Sequence, residues 1–134
     1  MGMFDVFKKN KGELTDEQKK WNRMWELWEK GQVPSPYTEL MTYQSEINNG
    51  GHDQYFFNVG NTGDLPKEVA VLDTVLPVKL KRNLETAYKA YLTVNENDGK
   101  EESQKIMEQC DRVFYENEKE LDRLLKAYAA TIPR

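Results

Sequence analysis

Apolar side chains recur at three- and four-residue intervals along almost the whole chain, a period that suits a helix buried on one side and not a strand. Trp21, Met24, Trp25 and Trp28 make one such stripe, and Tyr37, Leu40, Met41, Gln44 and Ile47 a second. Val69, Leu72, Val75 and Leu76 make a third, followed by Leu80, Leu84, Ala87, Tyr88 and Tyr91. The last runs from Ile106, Met107, Cys110, Val113 and Phe114 into Leu121, Leu124, Leu125 and Tyr128. Helix-stopping residues fall between the stripes: Gly31, Pro34, the pair Gly50-Gly51, Pro77 and Gly99. The pattern predicts an all-α fold, a compact single-domain bundle of five or six helices.

Local signals place the boundaries. Thr15 with Gln18 three residues on, and Asp16 and Glu17 between them, reads as a capping box that starts a helix over about 16–30. Ser35-Pro36 reads as an N-cap and first helical residue. Asn48-Asn49-Gly50-Gly51 should stop that second helix and reverse the chain, because Asn and Gly accept positive φ most cheaply. Tyr55, Phe56 and Phe57 fit either a short helix or a strand, and Asn58 to Asp64 has the composition of a loop. Pro66 opens another helix, and the terminal helical stretch has a candidate break near 115–117. Residues 1–14 form a flexible or docked tail, and 15–134 the helical domain. In that tail Phe4 and Phe7 beside Lys8, Lys9 and Lys11 could touch a membrane surface, although the sixth position lacks the Ser or Thr of a myristoylation signal.

Composition narrows the function. The chain has 134 residues, one Cys and one His. It offers no intrachain disulfide, no apolar leader and no run of about 18 apolar residues for a membrane span, so a cytoplasmic location is expected. No phosphate-cradling glycine loop, nucleophile elbow or metal-spaced Cys/His pair occurs. No cofactor or metal is expected, and Cys110, on an apolar stripe, reads as an inert core thiol rather than the partner of His52 in nucleophilic catalysis. The one enzymatic alternative gathers Glu46, His52 and Asp53 around the glycine turn as a metal or ligand site.

The net charge of −4 argues against direct nucleic-acid binding. It is unevenly spread: residues 96–122 carry ten acids against four bases, a local net of −6 that leaves +2 elsewhere. A carboxylate-lined helix there, including Glu101, Glu102, Glu108, Asp111, Glu116 and Glu118, is either an ordinary solvated face or a surface for a basic partner.

One segment is more specific than composition. Glu46-Ile47-Asn48-Asn49-Gly50-Gly51, then Gln54-Tyr55-Phe56 and Asn58, resembles the hallmark of a bacterial family whose named member is a DNA-mimic protein. The similarity extends more loosely over about residues 20–131. His52 departs from it, standing where the family usually carries an apolar or aromatic residue. The resemblance implies an all-helical fold. For the DNA-mimic member it also implies an acidic surface that occupies the DNA site of a transcription factor and relieves its repression. Read from the residues, Asn48 and Asn49 would satisfy groups at a helix end, and Tyr55 and Phe56 would plug the core beside the Trp stripe. The resulting expectation is a non-enzymatic, acidic regulator docking on the basic surface of a DNA-binding protein. An immunity-type inhibitor of a toxin is the alternative within the same class.

Overall fold

In a computed structural model, residues 13–93 and 100–133 are described, and they form five helices and no strand. The expected tail falls largely in 1–12, outside the described residues. The first helix, α1 (Asp16–Glu29), begins with the predicted capping box: the Gln18 amide donates to Thr15 Oγ1 at 3.1 Å, and the Thr15 amide to Gln18 Oε1 at 2.8 Å. Its end is a Schellman turn, with the Gln32 amide on the Leu27 carbonyl and Gly31 at φ +70°. Met24 is buried. The three tryptophans are half-buried and packed edge-to-face on one another, and Trp28 Nε1 donates to Thr42 Oγ1 of the next helix at 3.0 Å.

The second element, α2 (Tyr37–Thr62), contains the glycine turn and is helical on both sides of it. Pro36 occupies the cap position, one residue later than Ser35 was expected to, and the Ser35 hydroxyl instead donates to the Glu39 carboxylate at 3.0 Å. A carboxylate is a stronger acceptor than the alternatives open to that hydroxyl. Gly51, at φ +83° and ψ −176°, is non-helical and breaks the element. The break is a reversal. An unbroken helix would hold Glu46 and Asn58 about 18 Å apart, yet Asn58 Nδ2 donates to Glu46 Oε2 at 2.6 Å. Tyr43 and Tyr55, equally far apart in sequence, have ring centroids 5.2 Å apart. The helix after the turn continues to Thr62, so the loop expected over 58–64 shrinks to Gly63-Asp64. Buried Tyr55, Phe56 and Val59 supply the apolar face that holds residues of loop-like composition in a helix.

Asp64 caps α3 (Leu65–Val75), accepting from the Lys67 amide at 3.2 Å, and Pro66 sits in its first turn. After Pro77 comes α4 (Val78–Thr93), then α5 (Lys100–Ala129), unbroken for 30 residues. The break expected near 115–117 is absent: Phe114 and Leu121 are both fully buried, and their seven-residue spacing keeps one continuous stripe on the core. α5 is the spine of the fold. It lies along α4 and α2 and also touches α1. Tyr55 and Phe56 do plug the core, but against different neighbours from those expected. Phe56 packs on Tyr88 and Tyr91 of α4, and Tyr43 meets Tyr55 and Phe114.

Candidate partner-docking site

The sequence suggests two separate features, a glycine turn and an acidic helix. The structure joins them. Gly51 exposes the first amides of the returning helix, and one of these, the His52 amide, donates to Asp111 Oδ1 of α5 at 2.8 Å. Asp111 therefore acts as a cap supplied from another helix, its negative charge placed where the N-terminal end of a helix favours it. The same oxygen is 2.6 Å from His52 Nδ1, and His52 Nε2 is 2.6 Å from the Tyr43 hydroxyl. With its proton on Nδ1, the ring donates to Asp111 and accepts from Tyr43. Burial raises the Tyr43 hydroxyl well above its usual range, which keeps it protonated for that role.

On the other side of the turn, Tyr115 donates to the Ile47 carbonyl at 2.8 Å, satisfying an acceptor near the end of the first helical half. Asn48 Nδ2 donates to Glu118 Oε2 at 2.8 Å. It was expected to serve a helix end and instead reaches across to α5. Gln44, buried within the second apolar stripe, donates to Glu118 Oε2 at 3.0 Å and to Asp122 Oδ1 at 2.7 Å. Asp111, Tyr115, Glu118 and Asp122 thus form one flank of α5 seated on the glycine-turn segment of α2.

These contacts revise the role of several candidates. His52, a candidate for a metal or ligand site at the turn, is completely buried. The Asp111–His52–Tyr43 chain has the connectivity of a general-base relay, but its histidine and tyrosine are both fully buried and only Asp111 reaches the surface. Glu46 is held by Asn58, and Asp53 is exposed, so the turn does not gather Glu46, His52 and Asp53 into one centre. Among the described residues no group of three or more His, Cys, Asp or Glu has the geometry to hold a metal ion. Cys110 is buried, its thiol pushed up to about 11 by burial and then by the charge of Asp111, which leaves it protonated at neutral pH. Gln54 lies against Gly50, and Asn49 is exposed.

The six acids singled out on α5 divide into two sets. Glu101, Glu102, Glu108 and Glu116 are exposed, as are Lys105, Arg112, Lys119 and Lys126, which recur every seven residues. Seven residues is close to two turns, so these bases share the outer stripe with Glu101 and Glu108 and leave its charge mixed. Asp111 and Glu118 belong instead to the half-buried flank, together with Asp122, which was not among the six. Their partners are the side-chain amides of Gln44 and Asn48 and the main-chain amide and imidazole of His52. Among the described residues no Lys or Arg lies within ion-pairing distance of them. Two sequence signals could have pointed there. One is the spacing 111, 115, 118, 122 along a single helical face; the other is Gln44, a polar residue inside an apolar stripe.

Two cavities lie elsewhere. A groove of about 870 Å³ runs between the start of α1 and the end of α5, past Trp21 and Lys126. A smaller one of about 370 Å³, beside Arg82 and Cys110, separates α4 from α5. Neither reaches Glu46, His52 or Asp53.

In comparisons with known proteins, the family model of DMP19-like proteins matches residues 38–132. That is more than half of the chain. The span takes in the glycine turn and the acidic flank but leaves out α1, whereas the resemblance was expected to reach back to about residue 20. No curated protein and no solved structure matches the chain.

Proposed function

The chain belongs to the DMP19-like family, whose namesake is DNA mimic protein 19, and on that premise we propose that it is a non-enzymatic regulator that docks on the basic surface of a DNA-binding protein in place of DNA. The observation that carries this reading is how the acids of α5 are held. Asp111, Glu118 and Asp122 are fixed by His52, Asn48 and Gln44, donors that orient a carboxylate without a Lys or Arg to cancel its charge. A DNA-binding surface is organised to recognise fixed negative charge, and a preordered carboxylate row meets it without first losing side-chain entropy. Spacings of seven and four residues place these charges roughly 10 and 6 Å apart along the helix. That is sparser than duplex DNA, at one charge per about 1.7 Å. Glu101, Glu102, Glu108 and Glu116 on the outer stripe would extend the surface, in company with the bases beside them. No membrane is needed for this role, and among the described residues no helix is long and apolar enough to cross one.

The decisive variant removes charge and keeps shape. Replacing Glu118→Gln and Asp122→Asn together preserves an amide oxygen for Gln44 and Asn48 to donate to, so unfolding free energy should move by only about 0.5 kcal/mol. Capture of a basic DNA-binding partner at low salt should weaken roughly tenfold, and wild-type capture should fall as ionic strength rises. Equal capture by wild type and variant, at the same stability, would remove the acidic flank from the account.

A further inference from the structure

One side chain of the docking flank is neither acidic nor buried. Among the described residues the large apolar side chains left exposed are Phe57, Val78, Leu92 and Tyr115, and only Tyr115, 48% exposed, stands within the flank of α5. An exposed aromatic side chain is ordinarily free to change rotamer. Tyr115 is held at both ends instead. Its hydroxyl donates to the Ile47 carbonyl of α2 at 2.8 Å, and its ring meets buried Phe114 edge-to-face, with centroids 5.7 Å apart. Burial, and then the charges of Asp111 and Glu118, push that hydroxyl above its usual range, so it remains a donor. The ring is a fixed apolar plate, and nearly half of the residue stays open to solvent.

Its neighbours are charged. Asp111, four residues before it, and Glu118, three after, lie on the same helical face, where such spacing brings side chains together. Each carboxylate of the flank is anchored through one oxygen: Asp111 by Oδ1 to His52, Glu118 by Oε2 to Asn48 and Gln44, and Asp122 by Oδ1 to Gln44. Glu118 Oε1 and Asp122 Oδ2 take part in no hydrogen bond or ion pair among the described residues. Arg112 and Lys119, three residues before Tyr115 and four after, are exposed on the outer stripe. A cation approaching the ring is therefore drawn towards the anchored carboxylates and away from the bases of α5 itself.

A fixed π-face beside preordered carboxylates suits one side chain above the others. A guanidinium is planar and weakly hydrated, stacks on an aromatic face, and keeps its in-plane N–H groups free to donate to a carboxylate. Glu118 Oε1 offers such an acceptor one turn along. An ammonium is a strongly hydrated point charge and gains less from the plate. Because Tyr115 is ordered before any partner arrives, covering it costs little side-chain entropy, and tyrosines covered in this way are common anchors of interfaces. We propose that Tyr115 is the stacking platform for an arginine side chain of the basic partner. The identity of that partner as a DNA-binding protein rests on the docking role proposed above; the preference for arginine over lysine belongs to Tyr115.

Fluorescently labelled hexaarginine and hexalysine peptides, titrated against the full-length chain at low salt, read this preference by anisotropy. Wild type should bind hexaarginine the more tightly. Tyr115→Leu should cut hexaarginine affinity roughly two- to fivefold, the worth of one exposed cation–π contact, and change hexalysine affinity far less. Tyr115→Phe controls for structure: it loses the same hydrogen bond to Ile47 as the leucine variant but keeps the ring, so it should retain the preference. A second readout needs no variant. The ring resonances of Tyr115 in the isotope-labelled wild-type chain should shift saturably with hexaarginine and much less with hexalysine. Equal binding of the two peptides by wild type, a preference that survives Tyr115→Leu, a loss as complete in Tyr115→Phe, or a ring unmoved by hexaarginine would each overturn the platform. The Glu118→Gln, Asp122→Asn variant separates the platform from the docking flank. If it weakens both peptides while Tyr115→Leu changes neither, the platform falls and the docking role stands. If it binds both peptides as wild type does while Tyr115→Leu abolishes the preference, the docking flank falls and the platform stands.

Discussion

Gly51→Ala should lower the unfolding free energy by about 3 kcal/mol or more, and the midpoint of thermal unfolding by roughly 10 °C. Two costs add at this position. Its φ of +83° with ψ of −176° lies in a region that is essentially glycine's alone, where a side chain costs on the order of 1–3 kcal/mol. The added Cβ would also overlap the Asp111 carboxylate, with Asp111 Cγ at 3.0 Å. Asp111 would have to move and release both contacts to His52. Gly31 is the internal control: it too has positive φ, +70°, but a Cβ there meets nothing within 4 Å. Gly31→Ala should therefore cost only the backbone term, roughly 1–2 kcal/mol. Urea unfolding of the two variants side by side measures the difference, and equal losses would show that Asp111 is not seated on the turn.

Asp111→Ala should cost about 3 kcal/mol by a different route. It strands two donors, the His52 amide and His52 Nδ1, and His52 has no exposure through which water could replace the carboxylate. Asp111→Asn should cost less than half as much, since its side-chain oxygen still caps the returning helix. If alanine and asparagine proved equally harmful in urea titrations, the charge of Asp111 rather than its capping would be what the fold uses. If both were harmless, the cap across helices would be wrong.

The helical periods were legible because each stripe carries its own signal: the Trp21 to Trp28 run, the Thr15 capping box and the Gly31 stop all sit where local rules place them. The reversal at Gly50-Gly51 was equally local. What escaped were features decided between helices. Residues 58–62 have the composition of a loop and are helical because Phe56 and Val59 are anchored in the core. Period could not reveal that Asp111 and Glu118 face α2 rather than solvent, because no local rule states which helix lies alongside. The burial of His52 is illegible for the same reason: nothing local to the glycine turn shows that a carboxylate from 59 residues further along lies against it. The family motif was recognisable as a turn, yet its work in positioning the carboxylates of α5 depends on the packed structure.

The glycine turn of α2 holds one acidic flank of α5 in place, and the role proposed for that flank is to substitute for DNA. The most direct test is competition: the full-length chain, immobilised, is loaded at low salt with DNA-binding proteins from native cell extract and then washed with duplex DNA. Duplex DNA should release a captured protein, an uncharged polymer should not, and the Glu118→Gln, Asp122→Asn variant should capture far less of it. A bound partner that duplex DNA leaves in place, held equally well by the variant, would contradict that role.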